Sequence, residues 1–479
     1  MNTSRLFIFF LSSGLLLLFF SCAEDDSVLL PEEELTTEVD TDGNTTIVAN
    51  FPGAALADLD VNLIRDWTDL MLEVERYATG MRPNASARAL AYMYLASYEA
   101  AVPGMRAHRS AQSALSGLNI DPQELDEPIH WGIAINTALA RSLNHFLINT
   151  PEHADNQISA LQNSFDELFA EDVNIETINA SKDWGNYVAD RVIVYAQSDS
   201  EAEEQILDPQ PESYEPPTGE GFWTYSAEPE RALFPYWGET RTFVIAPEET
   251  TSIPPVAYNE QLGSDYHNQM MEVYTANNAA MNDDEEQLWI AEFWSDDVEG
   301  LMFSPPARQF SIANQLIEQY GLNAEQVLYF YLKLGLSLND AAVATWKYKY
   351  EYMVMRPNVY IHEHIDPNFQ TNLFRLVYWP NPSFPGYPSG HSCFASAAAG
   401  VFIDFFGDRT NFTDRSHEGR TEFLSTPRTF ETFRSMAREN AFSRIPLGVH
   451  IRMDCAEGLR LGYEISDAIN RFDLRRRPV

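Results

Sequence analysis

The stretch AEQVLYFYLKLGLSLNDAAVATWKYKYEYMVM, residues 324–355, decides the fold class. Its apolar residues recur at helical spacing, with no sustained strand-like alternation, so it reads as a long helix. Arg356 and Pro357 follow, and a proline cannot continue a helix, so the spacing predicts an end there. Lys349 and Arg356 are seven residues apart, two helical turns, which predicts that both cations project from one helix face.

The pattern extends outward in both directions. ADLDVNLIRDWTDLMLEVERYA (57–78) spaces its apolar residues three and four apart, and SARALAYMYLASYEAAV (86–102) is almost entirely apolar or small, as a buried helix is. INTALARSLNHFLI, ISALQNSFDELFA, WGNYVADRVIVYAQ, NQMMEVYTANNAA and ARQFSIANQLIEQYG repeat the theme. Residues 208–260 interrupt it with Pro, Gly and aromatics and predict a long ordered loop wrapped over a helical body. No repeat of fixed period is present. The fold class is all-α, a large helical-bundle domain over residues 51–479.

With 31 Lys and Arg against 71 Asp and Glu, the net charge of −40 excludes nucleic acid and direct adsorption to an anionic membrane. It also makes any convergence of cations informative. Residues 23–50 are acidic, Thr-rich and aperiodic and read as a flexible tether. Residues 1–22 carry one basic residue, Arg5, then an apolar run and Cys22, the composition of an export signal. The FFSC junction resembles a bacterial lipoprotein cleavage site, which implies lipidation of Cys22 and membrane contact through that anchor alone. The AEDD that follows resembles the surface-export signal of bacterial lipoproteins, which implies attachment to the outer membrane or cell surface of a Gram-negative bacterium. Cys393 and Cys455 read as two buried thiols, a single bridge being the alternative.

Three segments carry the chemistry: KYEYMVMRP (349–357), YPSGHSCF (387–394) and SRIPLGVHIRMD (443–454). In the second, Ser389 and Gly390 open a helix of small residues, offering free N–H groups to an anion, with His391 at that mouth. In the third, His450 and Asp454 stand four apart, on one helical face in this reading, so that the carboxylate orients the imidazole. Lys349, Arg356 and Arg444 supply positive charge. Each segment alone has a structural explanation, because i,i+4 His–Asp pairs and Ser helix caps are common. All three in a chain poor in cations predict a pocket for a tetrahedral oxyanion.

K-x6-RP, PSGH and SR-x5-H-x3-D resemble the three-part signature shared by vanadium-dependent haloperoxidases and type 2 phosphatidic acid phosphatases, and every signature position is matched. The resemblance implies one vanadate per chain, with His450 Nε2 on the metal and Asp454 behind it. Lys349, Arg356, Ser389, Arg444 and the Gly390 N–H would hold the oxygens, and His391 would act as acid–base. Trp346 and Phe384 resemble aromatics lining the halide site of chloroperoxidase-like members, plain core packing being the other explanation. The partners implied are hydrogen peroxide, a halide and an organic acceptor. In the alternative, a phosphatase, the same cage holds phosphate and His450 is the nucleophile. Asp297, with Asp296 competing, resembles the acidic partner of the third-motif arginine. YIHEHID (360–366) holds too few histidines for a metal site and reads as a solvated loop.

Overall fold

The computed structural model describes residues 36–39, 45–48, 56 and 59–476, apart from 122–126, 172, 226–228, 297 and 377–380. The export signal with Cys22, and Asp297, lie outside the described residues. The chain divides into two units, Met1–Asn50 and Phe51–Val479. In the first, β1 (Thr36–Val39) pairs antiparallel with β2 (Thr45–Val48). β-Branched flanks around Asp-Gly-Asn favour that hairpin, within a segment that composition alone reads as a tether.

The second unit is a helical assembly. Its first half contains α1 (Asn62–Glu75), α2 (Asn84–Ala101), α3 (Trp131–Phe146), α4 (Ala154–Ala170), α5 (Ile175–Gln197) and α6 (Ser200–Leu207). Every residue of α2 is buried, as its run of alanines and aromatics requires at the centre of a bundle. The second half contains α7 (Asp265–Asn282), α8 (Glu285–Phe293), α9 (Pro305–Tyr320), α10 (Ala324–Tyr352), α11 (Pro357–His364), α12 (Gly390–Phe406), α13 (Phe433–Phe442), α14 (Arg444–Leu447) and α15 (Arg452–Arg471). A two-stranded ribbon, β3 (Phe412–Asp414) with β4 (Arg428–Phe430), lies between α12 and α13 in sequence.

Two sequence expectations give way here. α10 stops at Tyr352, because Met353 takes a left-handed conformation (φ 51°). Arg356 is therefore not on the Lys349 face of that helix; it is the extended N-cap of α11, with Pro357 at the first helical position, where a missing N–H costs nothing. The same start makes residues 357–364 a helix, not a loop. His362 bonds to the Phe369 carbonyl and His364 to the Tyr258 hydroxyl.

The loop between α6 and α7 is stitched to α10 by a buried carboxylate. Asp340 accepts from the N–H groups of Phe243 (2.7 Å), Val244 (2.8 Å) and Ile245 (3.1 Å). Burial pushes its pKa up to about 6, and these donors oppose that rise. Nearer the end of α10, Trp346 Nε1 and the Tyr350 hydroxyl both donate to the Leu233 carbonyl, at 3.3 and 2.7 Å.

α12 and α15 pack so closely that glycine is required between them. A Cβ on Gly458 would lie 2.7 Å from Ser392 Cβ, and one on Gly462 2.9 Å from the Ala397 nitrogen. This approach brings the starts of both helices together, where the Ser389 N–H donates to the Asp454 carbonyl at 2.9 Å.

Candidate active site

Two helix starts, the junction of α10 and α11, and the segment following α8 converge on a cavity of about 170 Å³. His450 precedes α15, and Asp454 sits in its first turn, so the pair is not on one helical face as its spacing suggested. The Asp454 carboxylate reaches back instead, accepting from the Ile451 N–H (3.2 Å) and from His450 Nδ1 (3.0 Å). Arg356 Nη1 faces His450 Nε2 at 3.1 Å. A guanidinium has only donors, so Nε2 carries the lone pair and Nδ1 the proton. Burial first, then the charges of Arg356, Lys349 and Arg444, hold the His450 pKa well below the usual imidazole value. The imidazole is thus neutral, its Nε2 lone pair aimed toward the cations.

Those cations are fully buried. Lys349 Nζ donates to the Pro385 and Gly386 carbonyls (2.9 and 3.2 Å), and burial followed by Arg356's charge drives its pKa well down. Arg356 also donates to the Phe384 and Val449 carbonyls, both at 2.9 Å. Arg444 Nη1 donates to the Trp294 and Ser295 carbonyls (3.1 and 3.0 Å). Burial pushes the Asp454 pKa up to about 7, against the Ile451 N–H and the charges of Lys349 and Arg356. Burying positive charge is costly unless it is paired, and an anion among these groups would lower that cost.

Ser389 is the N-cap of α12 and Gly390 its first residue, both fully buried. The first turn of this seventeen-residue helix leaves N–H groups without helical partners at its start, beside Lys349. A Cβ on Gly390 would come within 3.3 Å of the Trp346 ring and 3.9 Å of Lys349 Cε, filling the cradle. His391 Nε2 faces the Ser295 carbonyl at 3.0 Å, so Nε2 carries a proton there. The Trp346 and Phe384 rings lie 4.9 Å apart, and Phe384 covers Lys349 and Arg356 at 5.1 and 5.0 Å. All ten residues expected from the sequence are therefore brought together.

Residues 329–476 match the family model of the VCPO second helical-bundle domain. That match places residues 329–476 with the second helical-bundle domain of the vanadium haloperoxidase superfamily. It is 22% identical over 281 residues to the vanadium chloroperoxidase of Curvularia inaequalis, an alignment covering 46% of each chain, so it spans about half the length of that curated relative. Its fold is similar to a solved bacterial vanadium-dependent iodoperoxidase, with TM-score 0.75 and 24% identity over 87% of this chain and 98% of that one. It is also similar to a bacterial vanadium-dependent chloroperoxidase, with TM-score 0.62 and 16% identity over 82% and 92%.

The donor set fits vanadate. Three buried cations, a helix N-terminus and a neutral imidazole are complementary to a tetrahedral oxyanion whose central atom takes one nitrogen ligand.

Asp296, the competitor of Asp297 in the sequence, and Asn381, which no motif holds, complete the surroundings. Asp296 lines the cavity in a left-handed conformation (φ 45°) and is held by Arg308 Nη1 and His417 Nε2, both at 3.3 Å. Arg308 also bonds Asp414 (2.9 Å) and lies over the Phe293 and Trp294 rings. Asn381 lines the same cavity, 2% exposed, and neither its Oδ1 nor its Nδ2 has a hydrogen-bond partner among the described residues. Leaving such groups unmatched costs about 1–3 kcal/mol each. Cys393 and Cys455 are buried and free; burial pushes the Cys393 thiol up to about 12.

Proposed function

We propose that this chain is a vanadium-dependent haloperoxidase, using hydrogen peroxide to oxidise a halide to hypohalous acid. The observation that carries the reading is the unprotonated Nε2 of His450, aimed among three buried cations beneath an aromatic wall.

Lys349, Arg356, Arg444, Ser389 and the Gly390 N–H would hold the oxygens of vanadate, and His450 Nε2 would ligate the metal. Bound vanadate supplies a Lewis acid of constant oxidation state that polarises peroxide toward halide attack. Asp454 fixes the tautomer of His450 through Nδ1–H, keeping Nε2 free as a ligand. His391, held with its Nε2–H on the Ser295 carbonyl, would accept and return a proton. Trp346 and Phe384 exclude water and shape the halide pocket, which strengthens every charge interaction inside it. Export through residues 1–22, with anchoring at Cys22, belongs to the same proposal; mass spectrometry of the mature N-terminus tests it.

Protein loaded with orthovanadate is assayed for peroxide-dependent oxidation of iodide, bromide and chloride, and the vanadate-free protein for hydrolysis of a phosphate monoester. Vanadate-dependent oxidation is expected, and His450→Ala should lose vanadium retention and oxidation together. Phosphate release with negligible halide turnover would overturn the reading, as would oxidation that survives loss of His450.

A further inference from the structure

The oxyanion cage accounts for one side of the cavity. The rest of the lining is largely apolar, with Pro83, Leu233, Pro305 and Phe394, and Asn381 stands among its polar side chains with Arg82, Asp296 and Ser383. Asn381 is almost completely buried, yet both ends of its carboxamide lack a protein partner among the described residues. Buried amides are normally satisfied, and an exception facing an apolar-walled cavity is what a ligand would correct.

The shape of the unmet demand narrows the ligand. A halide could take only the Nδ2–H donors and would leave Oδ1 unmatched. Hydrogen peroxide could satisfy both ends but would leave the apolar walls wet. A cavity of about 170 Å³ has room for on the order of ten waters, which is also the room of one substituted ring. An aromatic O–H or N–H meets the whole description: its proton goes to Oδ1, its lone pair accepts from Nδ2–H, and its ring lies on proline and phenylalanine.

We propose that Asn381 anchors an acceptor subsite for a small, electron-rich aromatic carrying an O–H or N–H, a phenol being the simplest. The subsite rests on the haloperoxidase reading for its chemistry. Hypohalous acid made at the cage meets the ring in the same cavity. The ring's electron pair forms the carbon–halogen bond as the O–X bond breaks with its pair on oxygen. The same ring carbon then loses its proton to the hydroxide so formed, giving halophenol and water. The subsite makes halogenation saturable in the acceptor, whereas capture by freely diffusing hypohalous acid is not.

Binding is measured on the full chain without vanadate, by calorimetry or ligand-observed NMR, with p-cresol and with 4-methylanisole, which lacks the O–H. Saturable binding of p-cresol is expected, weaker for the anisole, and weakened at least about tenfold by Asn381→Leu. Equal affinity for the two ligands overturns the proposal, as does p-cresol binding that Asn381→Leu leaves unchanged. The ligand pair needs no variant, so the comparison stands even if Asn381→Leu fails to fold. Wild-type iodide oxidation without any acceptor is run alongside. Its absence overturns the halogenation step and the haloperoxidase reading, while the binding comparison still decides the fate of the anchor.

Discussion

Two clusters of buried charge border the cavity, and they are built on opposite principles. In one, Arg308 lies between Asp296 and Asp414 with His417 alongside, so one cation meets two carboxylates and every group is within about hydrogen-bonding range of a partner. Burial raises the Asp414 pKa, but Arg308's charge and the Ser416 hydrogen bonds outweigh it and leave the carboxyl below its usual range. In the other, Lys349, Arg356 and Arg444 gather around His450 and Asp454; the Asp454 pKa rises, while that of Lys349 falls. The first cluster closes on itself as a staple; the second gathers cations around a neutral imidazole and suits an anion.

Removing one cation from each cluster tests that contrast and has the largest expected effect. Arg308→Met strips two buried carboxylates of their partner and should cost about 3–5 kcal/mol of stability, read as a fall in Tm. Lys349→Met removes a cation already crowded by Arg356 and should cost at least about 2 kcal/mol less in anion-free buffer. Oxyanion binding should order the variants the other way, with vanadate or phosphate raising the Tm of Arg308→Met but little that of Lys349→Met. Equal losses of stability in both variants would erase the distinction between staple and cage.

The contrast also shows what was legible in the sequence. Helical periodicity was enough for the α class, and the three short motifs held every cage residue, because helix starts and junctions keep their ligands close in sequence. Local geometry was less legible. The left-handed turn at Met353 carries no glycine to announce it, and Pro357 reads as a helix terminator although it is a helix initiator. The staple is invisible to spacing, since Asp296, Arg308 and Asp414 come from three separate elements and meet only in the fold. Asn381 sits in no motif, and only its burial reveals it.

A smaller effect is expected where the cage is tuned and not dismantled. Asp454→Asn keeps the shape at His450 but loses the carboxylate that holds Nδ1–H. Vanadate affinity, measured by equilibrium dialysis, should fall roughly 10–100-fold with the fold intact. An unchanged affinity would mean that the Ile451 turn alone orients the imidazole.

The smallest effect belongs to the staple's own histidine. Burial, followed by Arg308's charge, holds the His417 pKa well below that of a free imidazole, so the ring is neutral in the folded protein and charged in the acid-unfolded chain. Between the folded pKa and about 6.5 the unfolded state binds more protons, so His417's contribution is full above about 6.5 and is lost as pH falls. His417→Gln keeps a donor toward Asp296 but cannot titrate. Its stability should fall less steeply than wild type between pH 6.5 and 4.5, seen in chemical denaturation at each pH. Parallel curves would place the proton uptake of acid unfolding elsewhere and leave His417 a packing residue. A flatter curve in the variant would assign part of the proton uptake of acid unfolding to His417.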